Sequence, residues 1–231
     1  MSESLGFNFE LTRFSGEAPI FPLPNTVLFP KTLLPLHIFE ERYKAMVRDV
    51  LVGERIICIA LLKENTSEQP YLENPPIHMV GTIGYVESFK RLEDGEFNIL
   101  LNGLSKVAIT EFAANRPYRR GEMRLIDDVI EQGNSQEERE NLLRQFRRIS
   151  EMTDNEFPME EIESADVSLE ILVNLLTTWL PIPVEEKQKL LEINELTLRS
   201  EIVREFLRQE IQDLSFMDNL DFIVPDNPRW N

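Results

Sequence analysis

The chain has 231 residues, 42% of them hydrophobic, and its 41 Asp and Glu against 24 Lys and Arg give a net charge of −17. A chain of this length can bury a core without a disulfide or a metal ion. The single cysteine, Cys58, excludes an intramolecular disulfide and is typical of a reducing compartment. No apolar run approaches the ~20 residues that cross a bilayer, and no signal-peptide pattern opens the sequence. These two observations lead us to expect a cytoplasmic protein. The acidic charge disfavours nucleic acid and anionic lipid as partners, so we expect no membrane contact.

The predicted elements at the start of the chain are mostly extended. We expect residues 1–17 to form a flexible leader, and the five prolines within residues 19–35 favour short strands with bends over a helix. One amphipathic helix is predicted over residues 38–51, with Glu40 and Lys44 paired on its polar face. Its predicted apolar stripe follows helical spacing and consists of Phe39, Tyr43, Met46, Val47 and Val50.

A strand-rich stretch follows the predicted helix. Residues 55–62 are predicted to form a buried strand, and residues 77–89 a second strand that is apolar and rich in β-branched side chains. Residues 118–126 are predicted to form a closing strand. The pairs Asp94-Gly95 and Asn102-Gly103 are both signals for tight type I′ turns, which predicts a three-stranded meander around them. Residues 18–130 are therefore predicted to form a β-rich lobe.

The hydrophobic pattern changes to helical spacing after residue 130. Ser135 begins a capping-box pattern with Glu138. Further helices are predicted over residues 167–180, 184–193 and 197–214. Residues 131–214 are therefore predicted to form a helical lobe, and residues 215–231 a C-terminal tail that either docks or stays loose. The whole pattern indicates an α+β architecture.

Two blocks of the sequence resemble a known family. Residues 21–43 contain FPL, then VLFP, then LPLHIFEERY, and residues 185–192 are EEKQKLLE. Both blocks resemble the N-terminal, substrate-binding domain of Lon proteases, in the stand-alone form without the AAA+ motor and the peptidase. The resemblance covers about residues 18–213 and implies a PUA-like pseudo-barrel followed by an α-helical bundle. It also implies recognition of unfolded or tagged proteins.

One position departs from the family pattern. The family commonly has an arginine three residues after the glycine of the Asn-Gly pair, and this chain has Lys106 there. Lysine keeps the charge but loses the bidentate hydrogen bonding of a guanidinium group. If that side chain binds a carboxylate, we expect the lysine to hold it less tightly.

The sequence offers no motif for catalysis. It contains no Walker A motif for binding a nucleotide phosphate. The histidines, His37 and His78, and the lone Cys58 lie in unrelated apolar contexts, which favours structural roles over a nucleophile–base pair or a zinc site. The acidic run over residues 151–166 lacks EF-hand spacing and is interpreted as a solvated linker. We therefore predict a non-enzyme without catalytic, cofactor-binding or metal-binding residues.

The remaining candidate site is an apolar segment of irregular backbone. Phe29, Lys31, Leu33 and Leu34 are predicted to contact unfolded or apolar protein segments or a partner protein. The alternative for each apolar side chain is that it seals the core of its own lobe. A second hypothesis is an RNA-binding PUA-like protein. Such a protein would use the small basic spots of the β-rich lobe, namely Lys90, Arg91, Arg116, Arg119 and Arg120.

Overall fold

The computed structural model describes residues 11–63, 75–130, 135–153, 157–165 and 167–221, with side chains up to 216. The chain divides into two compact units. The first unit contains Met1–Asp128 and Pro183–Asn194, and the second contains Val129–Ile182 and Glu195–Asn231. Most of the predicted leader and residues 222–231 of the predicted tail lie outside the described residues.

A six-stranded mixed sheet forms the framework of the first unit. Its strands are β1 (Glu17–Leu23), β2 (Leu33–Ile38), β3 (Ile56–Leu61), β4 (Val80–Arg91), β5 (Phe97–Phe112) and β6 (Arg119–Ile126). The strand order is β2-β5-β4-β3-β1-β6, and an additional pairing of β5 with β6 closes five of the strands into a barrel. The sixth, β2, pairs along the first half of β5 and stays outside this closure.

The centre of the first unit is β3, in which every residue is buried. Because successive side chains of a strand point to opposite faces, β3 contributes to two apolar clusters. Ile57 and Ile59 pack in the cluster that contains the inner face of helix α1 (Glu41–Val52). Cys58 lies in the other cluster, where burial raises the pKa of its thiol far above the ordinary range. The interpretation of Cys58 as a buried hydrophobe is consistent with this position.

The predicted start of the first helix is wrong. Ile38 ends β2, and α1 begins only at Glu41. Phe39 therefore stands before the helix and is 60% exposed instead of buried. The predicted polar face is also wrong at Lys44, which is buried and pairs with Glu41 at 2.5 Å. The predicted helix began too early because a short apolar run such as Ile38-Phe39 is too short for its spacing to distinguish a strand end from a helix start.

The predicted hairpin at Asn102-Gly103 is also wrong. Both residues lie inside β5, which runs without a turn for 16 residues. Gly103 is glycine for a different reason: a Cβ atom there would stand 2.2 Å from the carbonyl oxygen of Phe29. The other predicted turn is present, since Gly95 has φ +81 between β4 and β5. The three-stranded meander is therefore a single long hairpin.

The remaining helices follow β6. They are α2 (Ser135–Met152), α3 (Met159–Ser164), α4 (Leu169–Trp179), α5 (Val184–Glu192) and α6 (Leu196–Asp221). In the second unit α2, α4 and α6 pack against one another, as apolar stripes on each helix predict. The acidic run is not only a linker, because α3 forms within it and buries Ile162. The predicted α+β class, with a barrel-like part and a helical bundle, is confirmed.

Helix α5 belongs to the first unit, although it lies within the predicted helical lobe. The side-chain amide of Gln188 donates to the carbonyl oxygen of Val80 in β4 at 3.0 Å. His78 lies between two carboxylates of this helix, 3.4 Å from Glu185 and 3.3 Å from Glu192. These polar contacts tie α5 to the sheet of its own unit.

Candidate functional site

The four residues predicted to bind protein segments differ in their exposure. Phe29 is completely buried, as expected of a side chain that seals its own lobe. Leu34 is half-buried and packs against the cluster that contains α1. Lys31 is exposed and has a positive φ of 62. Leu33, the first residue of β2, is 54% exposed. Of the four residues, only Lys31 and Leu33 are exposed.

The backbone that carries these residues is held in a fixed shape. The amide of Lys31 donates to the carbonyl of Gly103 at 2.7 Å, and the amide of Gly103 donates to the carbonyl of Thr32 at 2.9 Å. Two residues of the loop thus oppose one of β5, which is a β-bulge with its first residue in the left-handed region. The Thr32 hydroxyl donates to the carbonyl of Phe29 at 2.8 Å and closes the loop. The bulge therefore fixes the position of Leu33, the first residue of β2, and the direction of its side chain.

The outer edge of β2 has no partner strand among the described residues. In an antiparallel pair, alternate residues direct their backbone groups towards the neighbour and away from it. The carbonyl of Thr32 accepts from Gly103, so the backbone groups of Thr32 point towards β5. Starting from Leu33, every second residue of β2 therefore directs its backbone groups to the open edge. Pro35 fits this position because it has no N–H to donate. The residues whose backbone groups face the open edge are Leu33, Pro35 and His37.

Side chains on the outward face of β2 form a row that is apolar at Leu33 and Pro35 and polar at His37. Leu33, Pro35 and His37 are exposed, and each faces a residue of β5 in register. Half-buried Leu100 stands opposite Pro35 and widens the row. Phe39 continues it beyond the strand, with its ring 6.1 Å from that of His37. This row and the open backbone edge are called the β2 edge below.

His37 is the titratable group of the β2 edge. Its Nδ1 lies 2.7 Å from Oδ1 of Asn98, and its Nε2 lies 2.7 Å from Glu96. The hydrogen bond to Asn98 and then the carboxylate of Glu96 raise the pKa of His37 above its ordinary value of 6.5. Because the folded pKa exceeds the unfolded one, this interaction stabilises the fold fully below the unfolded pKa. Its contribution is lost as the pH rises through the folded pKa.

We expect the titration of His37 to depend on Asn98. Replacing Asn98 with alanine removes the largest cause of the shift, so the midpoint of the His37 imidazole should fall towards the ordinary value. An NMR titration of the two histidines in the full chain measures this midpoint directly. The variant Asn25→Ala changes another exposed asparagine and should leave it unchanged. The same midpoint in Asn98→Ala and in the original chain would contradict the assigned hydrogen bond.

The larger basic spot of the first unit is neutralised by neighbouring acids. Arg116 pairs with Asp49 at 3.0 Å, and Arg120 pairs with Glu17 at 3.3 Å. Arg119 forms a charge-assisted pair with Glu111. Since phosphate binding requires cations that are not already compensated, this spot gives little support to the RNA hypothesis.

The described residues assemble no metal site and no membrane span. No group of three or more His, Cys, Asp or Glu side chains among them is arranged to hold a metal ion. No helix in the described part of the chain is both long and apolar enough to cross a membrane. The fold and its surface thus define an α+β chain whose most distinctive feature is the open β2 edge.

Comparison with known sequences gives the family. The family described as "ATP-dependent protease La (LON) substrate-binding domain" matches residues 17–209, so the chain belongs to this family. A Lon protease of Anaeromyxobacter dehalogenans is 25% identical over 215 residues, which are 89% of this chain and 25% of that protein. A Lon protease of Syntrophomonas wolfei is 27% identical over 212 residues, 90% of this chain and 26% of that protein. The chain spans about a quarter of the length of these relatives.

Solved structures show the same fold. The N-terminal domain of Mycobacterium avium complex Lon protease superposes with a TM-score of 0.63 at 15% identity, over 83% of this chain and 98% of that one. A Lon N-terminal domain protein from Xanthomonas campestris gives 0.55 at 20% identity, over 81% and 96%. The family resemblance of the two sequence blocks is therefore confirmed in both sequence and fold.

Proposed function

We propose that this chain is a non-catalytic binding domain that takes up extended, apolar segments of unfolded proteins along the β2 edge. One observation carries the proposal: the open backbone edge of β2 lies beside exposed apolar side chains, at Leu33 within the strand and at Phe39 just after it. An extended peptide can add to such an edge as a further strand, bonding to the N–H groups of Leu33 and His37 and to carbonyl groups, since Pro35 offers only its carbonyl. Membership in a substrate-binding family supports protein segments as the ligands.

The two parts of the β2 edge have different tasks in this proposal. Main-chain hydrogen bonds to β2 do not depend on the side chains of the ligand, so many sequences can bind. Leu33 and Phe39 favour ligands with apolar residues at alternate positions, because alternate residues of a strand share a face. The net charge of −17 favours basic flanks. Such contacts are individually weak, so we expect affinities on the order of micromolar or poorer.

Several observations support a role without catalysis. The matching family model describes the substrate-binding domain of Lon and not its motor or its protease. Cys58 is fully buried with a raised pKa, which is the opposite of an activated nucleophile. His37 lies on the surface, and its partners there are Asn98 and Glu96. We therefore expect the pure protein to hydrolyse neither ATP nor casein. We also propose the cytoplasm as the location of the protein.

Replacing Leu33 with aspartate is expected to weaken peptide binding by roughly tenfold, equivalent to about 1.4 kcal/mol. The substitution places a charge at an apolar position of the row without touching the core, since Leu33 is 54% exposed. Leu34 is unsuitable for this test because it packs against the core. The measurement is fluorescence anisotropy with a labelled peptide in which valine and threonine alternate and lysines flank both ends. Val52→Asp, at a site 90% exposed on α1, is the matched control and should bind normally.

A second probe tests the strand-addition geometry. The same peptide with N-methylated amides at alternate positions cannot form one set of ladder hydrogen bonds, so its binding should be lost. Single-stranded RNA of similar length tests the other hypothesis, because phosphate-driven binding weakens steeply with added salt. Equal binding by Leu33→Asp and Val52→Asp would refute the β2 edge as the site. Salt-sensitive RNA binding without peptide binding would refute the proposed ligand.

A further inference from the structure

The second unit carries a groove that the proposed peptide binding does not use. It lies between α2 and α6 and has a volume of about 580 Å³. Its lining on α6 follows helical spacing and forms one continuous stripe. The residues that line it are Gln145 and Arg148 from α2, and Arg208, Ile211, Gln212, Ser215 and Phe216 from α6.

The groove combines an apolar surface with positive charge. Phe216 is 63% exposed, the largest exposed fraction of any aromatic side chain among the described residues. Ile211 is half-buried and lines the groove on the same helix. Arg148 and Arg208 supply two guanidinium groups, and none of the lining residues is acidic. Arg208 pairs with Glu205 at 3.4 Å, but both side chains are more than half exposed, so solvent screens this pair and a ligand carboxylate can replace it.

The charge of the groove differs from that of the chain around it. The sequence has 41 acidic against 24 basic residues, and the other acids of this part of α6, Glu210 and Asp213, do not line the groove. A groove of this charge attracts carboxylates that the rest of the surface repels. Phenylalanine and arginine are also both enriched in protein interfaces.

We propose that this groove is a docking site for an acidic protein segment that carries a large apolar side chain. The apolar side chain packs against Phe216 and Ile211, and flanking carboxylates bind Arg148 and Arg208 as charge-assisted hydrogen bonds. This ligand is opposite in charge to the one proposed for the β2 edge. The groove therefore binds a partner of its own, independently of unfolded segments taken up by the first unit.

The test uses the full chain and a fluorescein-labelled peptide with aspartates on both sides of a central Phe-Leu pair. Arg148→Glu and Phe216→Ser should each weaken binding by roughly tenfold or more. The matched controls are Arg144→Glu, an exposed arginine one turn away on α2 that does not line the groove, and Leu198→Ser, another exposed apolar residue of α6. Both controls should bind within about twofold of the original chain. Added salt should weaken the binding of this peptide.

Each other outcome would overturn the proposal. Equal losses in Arg148→Glu and Arg144→Glu would mean a diffuse attraction to positive charge. Equal binding of a peptide with lysines in place of aspartates would mean apolar adsorption. Sedimentation that shows a dimer abolished by Phe216→Ser would assign the groove to a second copy of the chain. Leu33→Asp should leave this binding unchanged, so the groove and the β2 edge can fail separately.

Discussion

Replacing Gly103 with alanine is expected to lower the free energy of unfolding by roughly 3 kcal/mol, the upper end of the usual cost of forcing extra volume into a packed site. A Cβ atom at this position would lie 2.2 Å from the carbonyl oxygen of Phe29 and 3.3 Å from Cα of Pro30. The obstacle is backbone, which cannot rotate away as a side chain can. The loop is also held by its hydrogen bonds to Gly103 itself, so moving it breaks those bonds.

The matched control is Gly95→Ala. Gly95 has a positive φ of 81, and nothing lies within 4 Å of the Cβ position. Alanine there suffers only the strain of the left-handed conformation, about 1 kcal/mol. Thermal and urea unfolding of the two variants should therefore give a clearly larger loss for Gly103→Ala, roughly 6 °C or more in Tm. If Gly95→Ala were the more damaging substitution, Gly103 would not be in contact with the loop.

Gly103→Ala should also affect peptide binding. The bulge at Lys31 and Thr32 is hydrogen-bonded to Gly103, and it fixes where β2 begins. It therefore also fixes the direction in which the side chain of Leu33 points. A displaced loop misplaces the first residue of the open edge even while the chain stays folded. We therefore expect this variant to bind the alternating peptide less well, whereas Gly95→Ala should bind it normally.

Gly103 also shows why part of the fold could not be predicted from the sequence. An Asn-Gly pair is the usual signal of a type I′ turn, yet the same pair serves here where a loop approaches a strand. The local sequence is identical in the two cases. What differs is the position of Phe29, which lies more than seventy residues earlier in the chain. Close approaches of this kind depend on tertiary structure and carry no local pattern.

Strong periodicity, by contrast, predicted elements well. The fully apolar segment of β3 and the helices α4 and α5 lie within about two residues of their predicted bounds. The periodicity did not reveal which unit a helix joins: α5 was predicted in the helical lobe, but its polar residues bind the sheet of the first unit. Amphipathicity shows which face of a helix is buried but not what buries it.

The candidate site was only partly predictable for the same reason. Phe29 and Leu33 are both apolar residues of one irregular segment, and no local pattern separates them. The burial of Phe29 and the exposure of Leu33 follow from the pairing of β2 with β5, which lies about sixty residues further along. Phe39, which was predicted inside a helix, lies in the exposed row because β2 extends to Ile38.

Lys106 gives the second large effect. Its side chain is 2% exposed, and its ammonium donates to the Asp128 carboxylate at 2.9 Å and to the carbonyl oxygen of Ile193 at 3.0 Å. Lys106, which stands where the family commonly has an arginine, thus binds a carboxylate. It also joins β5 to the residue that follows α5. Both contacts lie within the first unit.

We expect Lys106→Met to destabilise the first unit by about 3 kcal/mol, the lower end of the cost of removing one partner of a buried ion pair. Methionine has a similar length, so packing is largely kept while Asp128, only 12% exposed, loses the charge that compensates it. Urea unfolding measures the loss, and Lys189→Met is the control. Lys189 pairs with Glu186 in solvent, so its replacement should cost under about 0.5 kcal/mol.

Two further variants separate the charge from the shape of this contact. Lys106→Arg restores the residue common in the family and keeps the charge, so it should remain within about 1 kcal/mol of the original chain. Asp128→Asn combined with Lys106→Met removes the uncompensated charge and should recover part of the loss, which a double-mutant cycle quantifies. Full stability in Lys106→Met alone would mean that Lys106 and Asp128 do not form a buried pair in solution. The attachment of α5 to the sheet would then depend on its apolar residues and on the contact of Gln188 with β4.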